Sequence, residues 1–169
     1  MQDSVQKFVE QMGLMCEEDG MPRSSGRILG FLLAEDGPFS LDELAEQLQM
    51  SKASVSTNAR MLEQHGMIRR VGAPGDRRDF YQVQRDPWES MLQVAQNQWR
   101  TMSAMFAEAA AALPPENANG CRRLREASRF HGLLLEASQR LVEMWRVHRD
   151  ADAGKDGPGG GNGSQTTDT

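Results

Sequence analysis

Residues 41–83 read LDELAEQLQMSKASVSTNARMLEQHGMIRRVGAPGDRRDFYQV, and this stretch decides the fold. Ser40 stands immediately before it and can cap a helix, because Glu43, three residues on, can reach back to the Ser40 amide. This capping-box pattern predicts a short helix that ends at about Gln49.

A second short helix follows the turn at Met50. Ser51 is a good N-cap residue for it, and Gly66 is placed to stop it just after His65. Two short helices joined by a tight turn predict a helix-turn-helix.

The pattern changes after Gly66. Two short runs, residues 67–71 and 77–83, flank a turn-rich stretch at residues 72–76, which reads GAPGD. Short runs around such a turn predict a β-hairpin. The expected fold is therefore mainly α with a small β-hairpin, a winged helix-turn-helix, and long helices flank it.

The flanking helices are predicted from their apolar spacing and their breakers. A first helix runs to about Glu18, a second begins with Pro22 in its first turn, and Asp86-Pro87 opens a fifth that ends at about Leu113. A sixth helix runs to about Arg149 and carries two apolar stripes, which implies two packing partners. One is the fifth helix and the other is a second subunit, so we expect a homodimer.

These signals divide the chain into four parts. Residues 1–18 form a helix for dimerisation or packing, and residues 19–86 form the winged helix-turn-helix. Residues 87–149 form two long helices for dimerisation, with room for an effector pocket. Residues 150–169 are Gly-rich and polar, which predicts a disordered tail.

Charge is segregated along the chain. Residues 51–85 hold seven basic and three acidic side chains, a net +4, whereas the other residues hold twelve basic and twenty-one acidic ones, a net −9. A basic segment on an acidic body favours specific DNA binding over general attraction to polyanions. No apolar run is long enough for a bilayer and the N-terminus has no secretory pattern, so a cytoplasmic protein without membrane contact is expected.

The fourth helix supplies the predicted reading surface. If Val55 faces inward, so do Ala59 and Leu62. The outward side chains are then Ala53, Ser54, Thr57, Arg60 and Gln64. Arg60 suits bidentate contact with guanine, and the outward methyl groups suit thymine. Phosphate contacts are expected from Ser51, Lys52 and Ser56. In the hairpin, Arg77 and Arg78 suit a narrow minor groove, with Asp76 orienting one of them.

The whole 41–83 stretch resembles the winged helix-turn-helix of the MarR superfamily. The GPFSLDELAEQL opening, the SKASVS helix start and the GDRRDFY wing followed by Trp88 are most similar to its GbsR-like branch. The resemblance covers about Pro22 to Met91. It implies a transcriptional regulator, a repressor, whose homodimer binds an inverted-repeat DNA operator and responds to a small ligand such as choline or a related osmolyte.

Trp88, Trp99 and Trp145 are candidates for holding such a cation on their π faces, although tryptophans at core spacing more often serve packing. Catalysis has little support, because the three histidines lack metal-ligand spacing and no glycine loop suits a phosphate. No metal, cofactor or catalytic residue is expected. The alternative function is a winged-helix module that binds an acidic protein partner, and the polar, compact outward face of the fourth helix favours DNA instead.

Overall fold

The structure is a computed structural model that describes residues 2–72 and 75–153, and these residues contain six helices and three strands. In chain order the elements are α1 (Asp3–Glu18), α2 (Arg23–Ala34), β1 (Phe39–Ser40), α3 (Leu41–Gln47), α4 (Lys52–Gln64), β2 (Ile68–Gly72), β3 (Asp79–Val83), α5 (Pro87–Ala112) and α6 (Ala118–Ala153). The mainly α fold with a small winged hairpin is confirmed.

The sheet has three antiparallel strands in the order β1-β3-β2. The hairpin register pairs Ile68 with Val83 and Gly72 with Asp79. The two residues of β1 pair with β3 on its other side. Sequence patterning missed β1 because two residues are too few for an alternating signal. Ala73 and Pro74 of the predicted turn lie outside the described residues.

Local capping starts α3, α4 and α5 where the sequence predicts. Ser40 Oγ accepts from the Glu43 amide at 3.3 Å, and Glu43 Oε2 accepts from the Ser40 amide at 2.7 Å. Ser51 Oγ caps α4, and Asp86 Oδ1 caps α5 by accepting from the Glu89 amide at 3.0 Å. These side chains satisfy backbone amides that have no partner within their own helix.

Several predicted boundaries shift, and α3 ends at Gln47 where the sequence predicts about Gln49. Pro22 is the N-cap of α2 instead of a residue of its first turn, so the helix begins one residue later. Helix α6 continues past Arg149 to Ala153, which removes four residues from the predicted tail. The rest of that tail, residues 154–169, lies outside the described residues. Within the described ranges, no helix is long and apolar enough to cross a membrane.

The hydrophobic core lies in the winged-helix part. Its side chains come from α1 to α4 and from the sheet, and those with 0% exposure are Val9, Ile28, Leu44, Leu48, Val55, Ala59 and Ile68. By contrast, Ala110, Val142 and Pro87 are the buried apolar side chains among the described residues of α5 and α6. The packed core therefore positions α4 and the hairpin.

Helices α5 and α6 pair in antiparallel fashion. Near the middle of the pair, Ser103 Oγ donates to the Ser128 carbonyl at 3.0 Å, and Ser128 Oγ donates to the Ser103 carbonyl at 2.9 Å. The outer face of α6 carries exposed apolar side chains, namely Phe130, Leu133, Leu141, Met144 and Val147. One apolar stripe thus packs on α5, while the predicted second stripe faces solvent.

Candidate nucleic-acid interface

Helix α4 has the two faces that its sequence predicts. Val55 and Ala59 are 0% exposed and Leu62 is 3% exposed, which anchors the inner face in the core. The exposed side chains of the outer face are those of Lys52, Ala53, Thr57, Arg60 and Gln64, whereas Ser54 and Ser56 are half-buried. The outer face is therefore polar and free of large apolar groups.

Asn58 is a polar residue of α4 that sequence reasoning missed. Its side chain is 8% exposed, and Nδ2 donates to the Ser54 carbonyl at 2.8 Å. The signal was present, because Asn58 follows Val55 by three residues and this spacing places both on one face. The Asn58 side chain thus stabilises the first turns of α4 from the buried face of the helix.

Lys52 opens α4 and forms an ion pair with α3. Its Nζ lies 2.8 Å from Asp42 Oδ1, and the two side chains are 69% and 56% exposed. An exposed pair of this kind contributes little to stability and exchanges readily. A phosphate oxygen can therefore replace Asp42 at the Lys52 ammonium.

The two adjacent wing arginines have different surroundings. Arg78 donates to Asp76 from its amide at 2.9 Å, from Nε at 2.9 Å and from Nη2 at 2.6 Å. The side-chain hydrogen bond from Arg78 lowers the pKa of the Asp76 carboxyl. Arg78 also lies over the Phe80 ring, with its guanidinium carbon 5.1 Å from the ring centroid. Asp76 therefore orients Arg78, and the exposed Arg77 has no ion pair within the described part of the chain.

The other basic side chains of residues 51–85 also differ in whether they have a carboxylate partner. Arg70 pairs with Asp79 across the hairpin at 3.2 Å, as Lys52 does with Asp42 and Arg78 with Asp76. The basic residues of the segment without a carboxylate partner among the described residues are Arg60, Arg69, Arg77 and Arg85. Arg69 and Arg85 were not among the predicted site residues, although both are exposed. Positive charge without a carboxylate partner therefore lies on α4 at Arg60, on the hairpin at Arg69 and Arg77, and after β3 at Arg85.

The three tryptophans do not form one cage within a single chain. Trp88 and Trp99 are eleven residues apart on α5, which separates them by about 16 Å along the helix. Trp145 Nε1 donates to both carboxylate oxygens of Asp86 at 3.1 Å. Trp88 is 42% exposed, and Trp99 is half-buried. Over the described ranges, no cluster of His, Cys, Asp and Glu has the geometry of a metal site.

The core, the capped helices α3 and α4 and the hairpin define a winged helix-turn-helix protein. Residues 19–79 match the MarR family model. A solved structure described as a transcriptional regulator has a TM-score of 0.69 and 30% identity, and the alignment covers 83% of this chain and 99% of that one. The chain belongs to the MarR family of transcriptional regulators.

Curated relatives match through the winged-helix part. The chain is 45% identical over 80 residues to the HTH-type transcriptional regulator MmpR5 of Mycobacterium tuberculosis, which is 47% of this chain and 48% of that protein. It is 30% identical over 95 residues to the HTH-type transcriptional repressor OpcR of Bacillus subtilis, covering 56% and 49% respectively. The chain therefore spans about half the length of the curated relatives it matches.

Proposed function

We propose that this protein is a sequence-specific DNA-binding transcriptional regulator that binds an inverted-repeat operator as a homodimer. The observation that carries the proposal is the outer face of α4, which is exposed, polar and compact, with Arg60 free of any carboxylate partner in the described chain. Small side chains at the start of a recognition helix allow its close approach to base edges in the major groove.

Within that face, we assign different roles to different side chains. Arg60 reads guanine through two hydrogen bonds, the Ala53 and Thr57 methyl groups contact thymine, and Gln64 reads an adjacent base. Ser51, Lys52 and Ser56 contact phosphates and set the register of the helix. Ser54 is half-buried, so we expect it to contact DNA only where the backbone of α4 itself comes close to the duplex.

The wing supplies a minor-groove contact through Arg77. Its neighbour Arg78 is held by Asp76 and by the Phe80 ring, so its guanidinium is already oriented toward the protein. Arg77 has no such restraint, and a narrow A·T-rich minor groove attracts an uncompensated guanidinium. We therefore expect Arg77 to enter the groove and Arg78 to stay with Asp76.

The homodimer forms through α1, α5 and α6. Exposed apolar side chains on α6, such as Leu133 and Met144, support this assignment because they have no partner within one chain of the described structure. Two subunits related by a two-fold axis present their α4 helices to successive major grooves, which requires an inverted repeat. We also propose that the DNA-bound dimer blocks transcription and is therefore a repressor, and that the chain belongs to the GbsR-like branch.

A small quaternary ammonium compound such as choline or a related osmolyte is the proposed effector. Trp145 Nε1 donates to the Asp86 carboxylate, which fixes the indole ring, and the face of a fixed aromatic ring suits such a cation. Thermal denaturation with choline or glycine betaine, against sorbitol as a neutral solute, tests this. A shift with choline that Trp145→Phe retains and Trp145→Ala loses is expected, and equal shifts with choline and sorbitol would contradict it.

The DNA-binding proposal is tested with an operator selected from a random duplex pool, together with a scrambled duplex. Arg60→Ala should cost about 1–3 kcal/mol on the operator and much less on the scrambled duplex, because a bidentate base contact needs the right base. Lys52→Ala should weaken both duplexes alike and reduce the salt slope by about one counterion per half-site.

Arg77→Ala and Arg78→Ala form a matched pair in the wing. Loss of Arg77 should weaken operators with A·T-rich flanks the most, whereas loss of Arg78 should have a smaller effect. Equal losses for Arg60→Ala and Lys52→Ala on both duplexes would show that Arg60 only contacts phosphate. Failure of the wild-type protein to retain any duplex, with binding to an acidic protein partner instead, would favour the interaction-module alternative.

A further inference from the structure

The junction between the wing and the helix pair contains a polar cluster that the proposed DNA contacts do not use. Strand β3 ends at Val83, and α5 begins only four residues later. At this junction, two acidic side chains of the α5 N-terminus meet three side chains from the far end of α6. We call this cluster the latch, and its members are Asp86, Glu89, Trp145, Arg146 and Arg149.

Asp86 is the centre of the latch. Its carboxylate accepts from the Glu89 amide at 3.0 Å and thereby caps α5. The same carboxylate accepts from Trp145 Nε1 at 3.1 Å and from Arg149 Nη1, both of them on α6. One side chain therefore starts α5 and also ties it to a segment about sixty residues away in the chain.

Glu89 completes the latch one turn further along α5. Its Oε1 accepts from Arg146 Nε at 3.1 Å, and its Oε2 lies 3.4 Å from Arg149 Nη1. Arg149 thus bridges both acidic side chains. The side chains of Asp86 and Glu89 are 14% and 13% exposed, whereas those of Arg149 and Arg146 are 42% and 50% exposed. Partly buried, charge-assisted contacts that share partners are stronger than isolated surface ion pairs.

The other side of the same helical turn touches the end of α4. Gly66 follows α4 with φ +73°, and a Cβ built there would lie 2.9 Å from the Ser90 carbonyl oxygen. The Gln84 amide also donates to the Met67 carbonyl at 3.1 Å. The first turn of α5 is therefore held between the end of the proposed recognition helix and the C-terminal part of α6.

We propose that the α6 residues of the latch are positioning residues. They hold the first turn of α5, which carries the Ser90 contact with Gly66, and through that turn they fix the angle between the winged-helix unit and the α5–α6 pair. The proposal rests on the proposed function, because the α4 helices of a dimer must lie about one turn of DNA apart. A small rotation at the junction moves α4 relative to the two-fold axis. The latch thereby sets the half-site spacing that the dimer accepts.

The first experiment measures whether the latch holds the junction closed. Hydrogen exchange of residues 84–94 is followed by mass spectrometry in the full-length protein with Arg146→Gln and Arg149→Gln combined. Loss of these contacts should accelerate exchange there about fivefold or more. The matched control combines Arg122→Gln and Arg140→Gln, which removes two exposed i,i+4 ion pairs from the same helix with the same change in charge.

The second experiment measures positioning. Selected operators with the native half-site spacing, and with one base pair added or removed, are titrated with each variant. The wild type and the control variant should prefer the native spacing about tenfold or more, and the latch variant should lose most of that preference. Arg149→Lys, which keeps the charge, should restore part of it. A variant that only loses stability would weaken all three operators alike.

The two experiments separate the possible failures. Unchanged exchange at residues 84–94 in the latch variant would overturn the latch itself, whatever the DNA titrations show. Faster exchange with unchanged spacing preference would overturn its positioning role. Absence of duplex binding by the wild type would instead overturn the proposed function, and the exchange measurement would still decide whether the latch closes the junction.

Discussion

The winged-helix part and the α5–α6 pair bury their apolar side chains to different extents. In the first part, Ile28, Leu44 and Leu48 are 0% exposed within a single chain. In the second, Leu133 is 56% exposed and Met144 is 69% exposed. Apolar surface of this kind, aligned along one face of a helix, indicates an association surface. The winged-helix part therefore encloses a core within one chain, whereas the outer face of the helix pair stays exposed in one chain.

The physical difference lies in the number of neighbours that each element has. Helix α2 packs against α1, α4 and the sheet, so its apolar side chains are enclosed from several directions. Helix α6 packs against α5 alone among the described elements with extensive contacts. A helix with one neighbour can bury only one stripe. The second stripe of α6 is therefore available to a second copy.

The largest expected effect is on the free energy of unfolding, and it is seen by comparing one leucine-to-alanine variant in each part. Leu44→Ala should lower the free energy of unfolding by about 2–5 kcal/mol, because it leaves a cavity in a closed core. Leu133→Ala, at an exposed site, should cost less than about 1 kcal/mol, and that cost should grow with protein concentration if the side chain is buried between subunits. Urea titrations at two protein concentrations measure both. Equal, concentration-independent losses would contradict the comparison.

A charge on the outer stripe of α6 should weaken dimer assembly more than it weakens folding. Met144→Asp should raise the dimer dissociation constant about tenfold or more, because a carboxylate in an apolar interface loses its hydration. Gln139→Asp adds the same charge to the same helix outside the stripe and should leave assembly unchanged. Sedimentation velocity across a dilution series measures the difference. Equal dissociation of both variants would point to a general charge effect.

Gly66 lies where the two parts touch. Comparing its substitution with that of Gly75 separates the cost of backbone strain from the cost of a steric contact. Gly66→Ala places a β carbon on a residue with φ +73° and against the Ser90 carbonyl, and should cost about 1–3 kcal/mol. Gly75→Ala has a similar φ of +81° with nothing within 4 Å of the new carbon, and should cost about 1 kcal/mol. Thermal denaturation measures both. Equal costs would mean that the junction yields to the added carbon.

Acid should weaken the junction between the two parts by a smaller amount. The hydrogen bond from Arg146 lowers the pKa of Glu89. Burial alone would raise the pKa of Asp86, but the Glu89 amide, Trp145 and Arg149 together lower it. A carboxyl with a lowered folded-state pKa contributes stability above its unfolded pKa of about 4, and this contribution disappears as the pH falls through the folded value.

The melting temperature from pH 7 to pH 3 checks that expectation. The wild type should lose stability below about pH 4, and Glu89→Gln should show a smaller loss over the same interval because its contribution is already absent. Glu126→Gln, which alters an exposed i,i+4 pair elsewhere on α6, serves as the control and should follow the wild type. A wild-type profile that Glu89→Gln reproduces would show that Glu89 does not contribute to the loss of stability in acid.

Much of the local structure around the candidate site was predictable because its determinants are local. The Ser40–Glu43 capping box and the Ser51 cap each join residues three positions apart, and the inward face of α4 follows from helical spacing alone. The hairpin was predictable for the same reason. The choice between Arg77 and Arg78 was not, because it depends on which guanidinium reaches Asp76 once the hairpin has closed.

The sequence by itself determined the starts of α3, α4 and α5, the hairpin and the face that α4 presents, since contacts between near neighbours form at little cost in chain entropy. Only the tertiary structure decided the pairing of β1 with β3, the ion pair of Lys52 with Asp42, and the latch. Asp86 and Arg149 are far apart in the chain, and neither residue type nor spacing indicates that they meet. Such pairs form only after packing has brought two helices together, and packing is a property of the whole fold.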